Sequence, residues 1–403
     1  MHVNRPPVLA ALRRNPTGAL LVIAQIAITL TVLCNAASMV AHAMARINRP
    51  AGFDTRDTFV MIVAALSKHL DVASAERADL AYLRGQPDVA AATVTDGRPL
   101  AMEGHFTDLA RAPGSGSLQV PTSELPLDEQ GLRSLGVALI AGRDFRADEV
   151  ITDSAGGSPR RSAEIIVTES LARSLFPGGQ ALGGTVYEGT DPLTIIGITR
   201  DFMGPQDGGP AYNVFLAPQE SSNSPYYELL VRARPERRDL VLREAKRHIA
   251  AAHPDAAVAF SQTLAETRRN FDAGSRNIAI FLTAVTALML AICCLGLFGL
   301  TAFNVSSRTK QIGVRRAVGA RKRDIIAHFI AESALTLGAG VVIGSVLALA
   351  VGQWLSDHYG EPRLELAYVF AGVVIMCAVG QLATWQPARR AASVPPSVAT
   401  RTV

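Results

Sequence analysis

Residues able to do chemistry are few in this 403-residue chain, and their spacing suits none of the common reactions. The glycine-rich stretch PGGQALGG (177–184) invites comparison with a phosphate loop. It lacks the Gly-Lys-Ser/Thr ending whose lysine and hydroxyl meet phosphate and Mg²⁺. Lys68, Lys246, Lys310 and Lys322 are the only lysines and none follows a glycine, so these glycines read as turns. No His-Glu-x-x-His or Gly-x-Ser-x-Gly pattern occurs. His105, His248 and His253 are scattered and read as surface histidines. Cys34, Cys293, Cys294 and Cys377 all lie in apolar runs. A disulfide framework or zinc site in the polar part of the chain is thereby excluded. The sequence predicts no enzyme, no metal site and no cofactor bound by this chain.

One stretch is chemically unusual. SSRTKQIGVRRAVGARKRDIIAHFIAES (306–333) carries Arg308, Lys310, Arg315, Arg316, Arg321, Lys322 and Arg323 against only Asp324 and Glu332. It stands between two apolar runs, so the elements that position it come first. Nearly half the residues are apolar and only 18% are charged, the composition of a membrane protein. No Asp, Glu, Lys or Arg occurs between Arg14 and Arg46, Arg276 and Arg308, Glu332 and Asp357, or Glu365 and Arg389. Each gap can hold the ~20 apolar residues that cross a bilayer. The spacing predicts transmembrane helices at 17–43, 277–303, 333–355 and 366–386. AHA at 41–43 resembles a signal-peptidase site, but the apolar part before it is long for a signal peptide.

The charges give an orientation. An N-terminal segment (1–16), the loop 304–332 and a tail (387–403) are basic, whereas the loop 356–365 holds Asp357, Glu361 and Glu365 against Arg363. The large segment 44–276 has 30 carboxylates and 25 basic residues. Short basic loops stay inside, which predicts cytoplasmic termini and an outer domain at 44–276. Within that domain, strand patterns at 58–66, 89–100, 226–234 and 256–264 alternate with helical patterns at 73–88 and 238–254. Two βαβ-like halves thus bracket an insert at about 130–220. The stretch 264–282 keeps a helix-compatible pattern up to Gly274 and suggests a lever extending the second span. Gln25, Asn35 and Gln381 are isolated polar residues suited to interhelical packing rather than a hydrophilic pore.

Nucleic-acid binding does not suit a basic run tied to membrane helices at both ends. Attraction to anionic lipid explains the charge but not the apolar pattern within it. Ile312, Val314, Ala317 and Val318 form one apolar set, and Ile325, Ile326, Phe329 and Ile330 another. Gly313 and Gly319 weaken a continuous helix. A short helix near 307–318, a break at Gly319-Ala320 and a second helix from about 321 are expected. A short amphipathic helix at the membrane surface makes a dock for a cytosolic partner.

IGVRRAVGARKRDIIAHFIAES resembles the cytoplasmic loop of FtsX-like/MacB-like permeases of ABC transporters. PARRAASVPPSVATR resembles the closing signature of that family. AGRDF (141–145) and IIVTESLARSLFPGGQALGGTV…IIGITRDF resemble the MacB-like periplasmic domain. Gln311 departs from the glutamate usual in the family. The resemblance implies an α+β membrane protein of the Gram-negative inner membrane. Its α/β periplasmic domain, with Porter-like and Sabre-like subdomains, would be inserted between helices one and two. It also implies a permease dimer, of identical or related protomers, with a cytosolic ABC ATPase that binds ATP and Mg²⁺. Few residues precede the first span, so the ATPase is expected as a separate chain. Its coupling residues would be Gln311, Ile312, Gly313, Arg315, Arg316, Val318, Gly319 and Ala320. Gly340 and Gly344 allow close helix approach, either across the dimer or within one protomer. The implied function is mechanotransmission efflux of a peptide, antibiotic or lipid-linked substrate, with a possible periplasmic adaptor and outer-membrane channel. The alternative is FtsX-type signalling to a cell-wall hydrolase or sensor kinase.

Overall fold

The computed structural model describes residues 16–101, 104–114, 118–152, 162–205, 210–220, 224–319, 321–360 and 362–393. The chain opens with α1 (Pro16–Ile47). Then follow β1 (Thr58–Ala65), α2 (Val72–Arg84), β2 (Val89–Thr95), β3 (His105–Ala110), β4 (Val120–Leu127) and α3 (Gly131–Leu135). Next come β5 (Leu139–Gly142), β6 (Ile151–Thr152), β7 (Glu164–Thr168), α4 (Glu169–Leu175), β8 (Thr185–Glu188), β9 (Asp191–Thr199) and β10 (Val214–Glu220). β11 (Tyr226–Ala233), α5 (Arg238–Ala252) and β12 (Ala256–Thr263) precede α6 (Leu264–Ser307), α7 (Thr309–Ala317), α8 (Lys322–Tyr359) and α9 (Leu366–Ala392). The structure divides into two compact units, residues 49–273 and the remainder.

In the unit 49–273, four strands pair antiparallel in the order β12-β1-β11-β2. This is the split βαβ arrangement, with both crossover helices on one face. Phe59, Met61 and Val63 of β1 join Leu80, Leu83, Val241 and Ile249 in one core, while Val60 and Leu230 face a second. Burial on both faces explains why FVMIV and LLV read as continuous apolar runs. Two boundaries differ from the sequence expectation. The helix predicted to 88 ends at Arg84, because Gly85 closes it and Pro87 cannot continue it. The strand predicted to 100 ends at Thr95, where Gly97 adopts φ 137°.

The segment between β2 and β11 closes on itself and includes β3 and β4. The insert expected at about 130–220 thus begins earlier, near His105, because these two strands pair with β8 and β10. β4 pairs with β3, β3 with β8, β8 with β9, β9 with β7, and β7 with β10. β10 then pairs back, parallel, to β4. α4 packs Leu171, Ala172 and Leu175 onto this sheet. Gly179 (φ 86°) and Gly183 (φ 76°) make the turn between α4 and β8, as read from the sequence.

Asp128, at the end of β4, is buried beside Arg84, with Nη2–Oδ2 at 2.5 Å. Burial outweighs the guanidinium and lifts its carboxyl to about 6. A carboxyl whose pKa rises on folding contributes stability that is complete below its unfolded value and lost as pH climbs through about 6. Between pH 7 and pH 5 the gain is about 1 kcal/mol. Thermal unfolding of the detergent-solubilised chain at the two pH values should show this gain shrinking in Asp128→Asn. An equal pH response in parent and variant would remove Asp128 from the account.

The second unit holds four helices, α1, α6, α8 and α9, each long and apolar enough to cross a membrane. Its core joins Val22, Ile26, Leu30 and Cys34 of α1 to Cys293, Leu297, Leu337, Val341, Ala348 and Met376. The two tryptophans mark its ends. Trp354 stacks with His358 on α8, and Trp385 sits under Arg389 on α9, the positions of interfacial aromatic belts. From Leu366 to Trp385, α9 rises about 28 Å, close to the thickness of a hydrocarbon core.

Candidate functional site

The site is built where α6 ends and the chain turns back into α8. Thr309 begins α7, and the chain breaks at Gly319, whose φ of 104° is a left-handed conformation natural to glycine. Asp324 accepts the Arg321 N–H at 2.9 Å and so caps the start of α8. Ile312 is buried against Ile325, Phe329 and Ala388, with Val305 and Ile326 around them. Burying one such side chain contributes roughly 1.5–3 kcal/mol. Arg308, at the joint between α6 and α7, donates to Glu332 Oε2 at 2.9 Å. Among the described residues, these contacts fasten α7 to the bundle on one side.

The predicted coupling residues therefore divide. Ile312 and Gly313 are buried, and Ile312 holds α7 down. Gln311 and Gly319 are exposed, Val318 is 84% exposed and Val314 is 52% exposed. Gln311, Val314 and Val318 follow helical spacing and form one outward face. Val314 was legible as apolar in the sequence, but nothing there told the pinned face from the free one. The side chains of Arg315 and Arg316, and Ala320 altogether, lie outside the described residues. The Arg308–Glu332 pair also went unread, although Glu332 is the single acid between Asp324 and Asp357.

Gly340 and Gly344 face α1 of the same chain. A Cβ at 340 would lie 2.6 Å from Ile26 Cγ2, and one at 344 would lie 2.9 Å from Ala27 Cα. Ala348 and Gly352 continue the same row of small residues every fourth position. Along it, Thr31 donates to the Gly344 carbonyl at 3.2 Å and Asn35 to the Ala348 carbonyl at 3.2 Å. Of the two readings of the glycine pair, packing within one protomer is the one this geometry fills. Asn35 takes the interhelical role expected of it, and Gln25 lies against Gly296 of α6.

In the unit 49–273, the start of α6 is rooted in the core. Leu264 is fully buried and Phe271 packs beside it. Arg268 binds Asp272 Oδ2 at 2.6 Å and the Arg49 carbonyl at 2.9 Å. The stretches that resemble the MacB-like domain turn out to build the fold. Arg143 of AGRDF bridges Glu149 at 2.7 Å and Glu164 at 2.9 Å, which holds the Glu149 carboxyl below the usual range. Asp201 of ITRDF accepts from Ser170 N and Oγ at 2.7 and 2.6 Å, fixing the first turn of α4.

His248 and His253 are not the surface histidines the sequence suggested. Both face the buried Asp79, at 3.5 and 3.1 Å, and Tyr227 donates to its other oxygen at 2.5 Å. Burial, then Asp79, pushes the Tyr227 phenol up. His248 also stacks on Tyr82. A buried carboxylate needs such donors, and α2, α5 and β11 are thereby tied together.

Comparison with known proteins finds two matching families along the chain. Residues 21–248, more than half of the chain, match the MacB-like periplasmic core domain, and residues 283–396 match the FtsX-like permease C-terminal family. A macrolide export ATP-binding/permease protein MacB of Chromobacterium violaceum is 23% identical over 292 residues, covering 70% of this chain and 43% of that protein. MacB 1/2 of Paracoccus denitrificans, named as a macrolide export ATP-binding/permease protein, is 27% identical over 330 residues, 79% and 46% of the two chains. The chain thus spans less than half the length of these curated relatives. Among solved structures, the periplasmic region of MacB from Actinobacillus actinomycetemcomitans aligns with a TM-score of 0.36 at 15% identity, covering 56% of this chain and 98% of that one. With both segments matched in order along the sequence, the chain belongs to the FtsX-like/MacB-like family of ABC transporter permeases.

Proposed function

We propose that this chain is the membrane subunit of a mechanotransmission ABC transporter that exports a peptide, antibiotic or lipid-linked substrate. The observation that carries this reading is the face of α7. Gln311, Val314 and Val318 are presented outwards while Ile312 and the Arg308–Glu332 pair fasten the helix beneath them. An apolar face held rigidly at the end of a helix bundle suits a partner that pushes on it. In this reading the partner is a separate cytosolic ABC ATPase, and two permease protomers, identical or related, act together. The loop holding α7 and both termini lie in the cytoplasm, with the unit 49–273 on the outer face of the inner membrane. Motion of α7 passes to α6, whose first turns are rooted in that unit through Leu264, Arg268 and Phe271. A helix of 44 residues spans about 66 Å. A periplasmic adaptor and an outer-membrane channel complete the pathway.

The test places a photo-crosslinking amino acid at Val318 of the full chain in its native host, with Ile278 as the control. An ABC ATPase should be captured from 318 and not from 278. The purified chain alone should hydrolyse no ATP. Capture of no ATPase, or turnover that survives removal of every co-purifying ATPase, would refute the reading.

A further inference from the structure

The tertiary structure joins two basic segments that lie far apart in sequence. Ile325 and Phe329 of α8 meet Ala388 of α9 in one apolar cluster. Arg321, Lys322 and Arg323 precede the first of these, and Arg389 and Arg390 follow the last. All five basic side chains are exposed, and none forms a salt bridge among the described residues. The opposing acids are few. Glu332 is engaged by Arg308, and Asp324 caps the Arg321 N–H. On the two helices that carry the rim, the remaining described acids lie at the far ends, Asp357 near the end of α8 and Glu365 just before α9. A half-exposed indole adjoins the charge, since the Arg389 guanidinium lies 5.2 Å from the Trp385 ring centre.

We infer that Arg321, Lys322, Arg323, Arg389 and Arg390, with Trp385, form a binding rim for the phosphodiester headgroups of anionic lipid. The occupant follows from charge and position. Exposed cations with one exposed acid among them select an anion. An indole at the end of an apolar helix sits at headgroup depth, where the anions are lipid phosphates. The rim brackets α7, so lipid bound there steadies the helix ends on which α7 is mounted. This assignment concerns the chain and the bilayer alone and stands apart from the identity of any ATPase.

The experiment uses the full chain carrying Trp354→Phe, which leaves Trp385 as the one tryptophan. It is reconstituted into phosphatidylcholine vesicles doped with an equal small fraction of brominated phosphatidylglycerol or brominated phosphatidylcholine. The anionic lipid should quench Trp385 with an apparent affinity roughly fivefold higher, on the scale of one interfacial cation. The preference should fall towards one in Arg321→Gln/Lys322→Gln/Arg323→Gln, which leaves the Arg389–Trp385 contact intact. It should also fall in the unsubstituted rim at about 1 M salt, where screening is nearly complete. The salt arm decides the matter should the triple variant insert poorly. Equal quenching by the two lipids overturns the assignment and hands the rim to an acidic protein surface. A preference untouched by salt and by the triple substitution overturns it as well.

Discussion

Val318→Asp should reach the membrane at parent levels, fold normally and recover roughly 30-fold less ATPase, with export lost. The side chain it replaces is 84% exposed, so the carboxylate meets water in the free chain. In the complex it meets an apolar contact, and an unpaired charge desolvated there costs about 2 kcal/mol or more of association. Val314→Asp, on the same face, should act in the same direction. Ile312→Asp makes the contrast. Ile312 is 5% exposed among Ile325, Phe329 and Ala388, so a carboxylate there should destabilise the chain by several kcal/mol. Gly319→Asp is a poorer probe, because φ at 319 is 104° and any side chain strains the backbone. Quantitative co-purification with membrane-level immunoblots separates the cases. Parent-level ATPase recovery in both Val314→Asp and Val318→Asp would remove α7 as the coupling element.

Gly344→Leu should loosen the α1–α8 seam and lower stability by about 3 kcal/mol. Overpacking alone costs typically 1–3 kcal/mol. A Cβ at 344 would already crowd Ala27, at 2.9 Å, and Leu30 Cβ, at 3.1 Å. Separating the helices also stretches the bonds from Thr31 to Gly344 O and from Asn35 to Ala348 O, each worth about 0.6 kcal/mol or more in a membrane. Gly338 lies on the same helix with nothing within 4 Å of its would-be Cβ, so Gly338→Leu is the control. Thermal unfolding in mild detergent should separate the two variants by several degrees, taking a few degrees per kcal/mol. Matching midpoints would dismiss the seam.

The sequence by itself determined the four apolar helices and the two βαβ halves. Each depends on composition or on a short repeat along the chain. A run without charge from Arg14 to Arg46 must avoid water whatever lies beside it. The break at Gly319 was legible for the same reason, since a glycine between two apolar sets interrupts a helix locally. Tertiary structure alone decided the partners. Ile312 and Val318 are both aliphatic β-branched residues in one short segment, yet one is buried on α8 and α9 and the other is free. Periodicity gives the angle between them but not which face meets a neighbour. Gly340 and Gly344 announced close packing, and only the position of α1 showed that Ile26 and Ala27 take the space. His248 and His253 read as solvated because Asp79 is more than 160 residues away, and a carboxylate at that separation leaves no local trace. The same holds for β4 and β10, whose pairing closes the inserted sheet across some ninety residues. Local pattern fixes what each segment can bury; the non-local contacts that fix where it buries it are made only on folding.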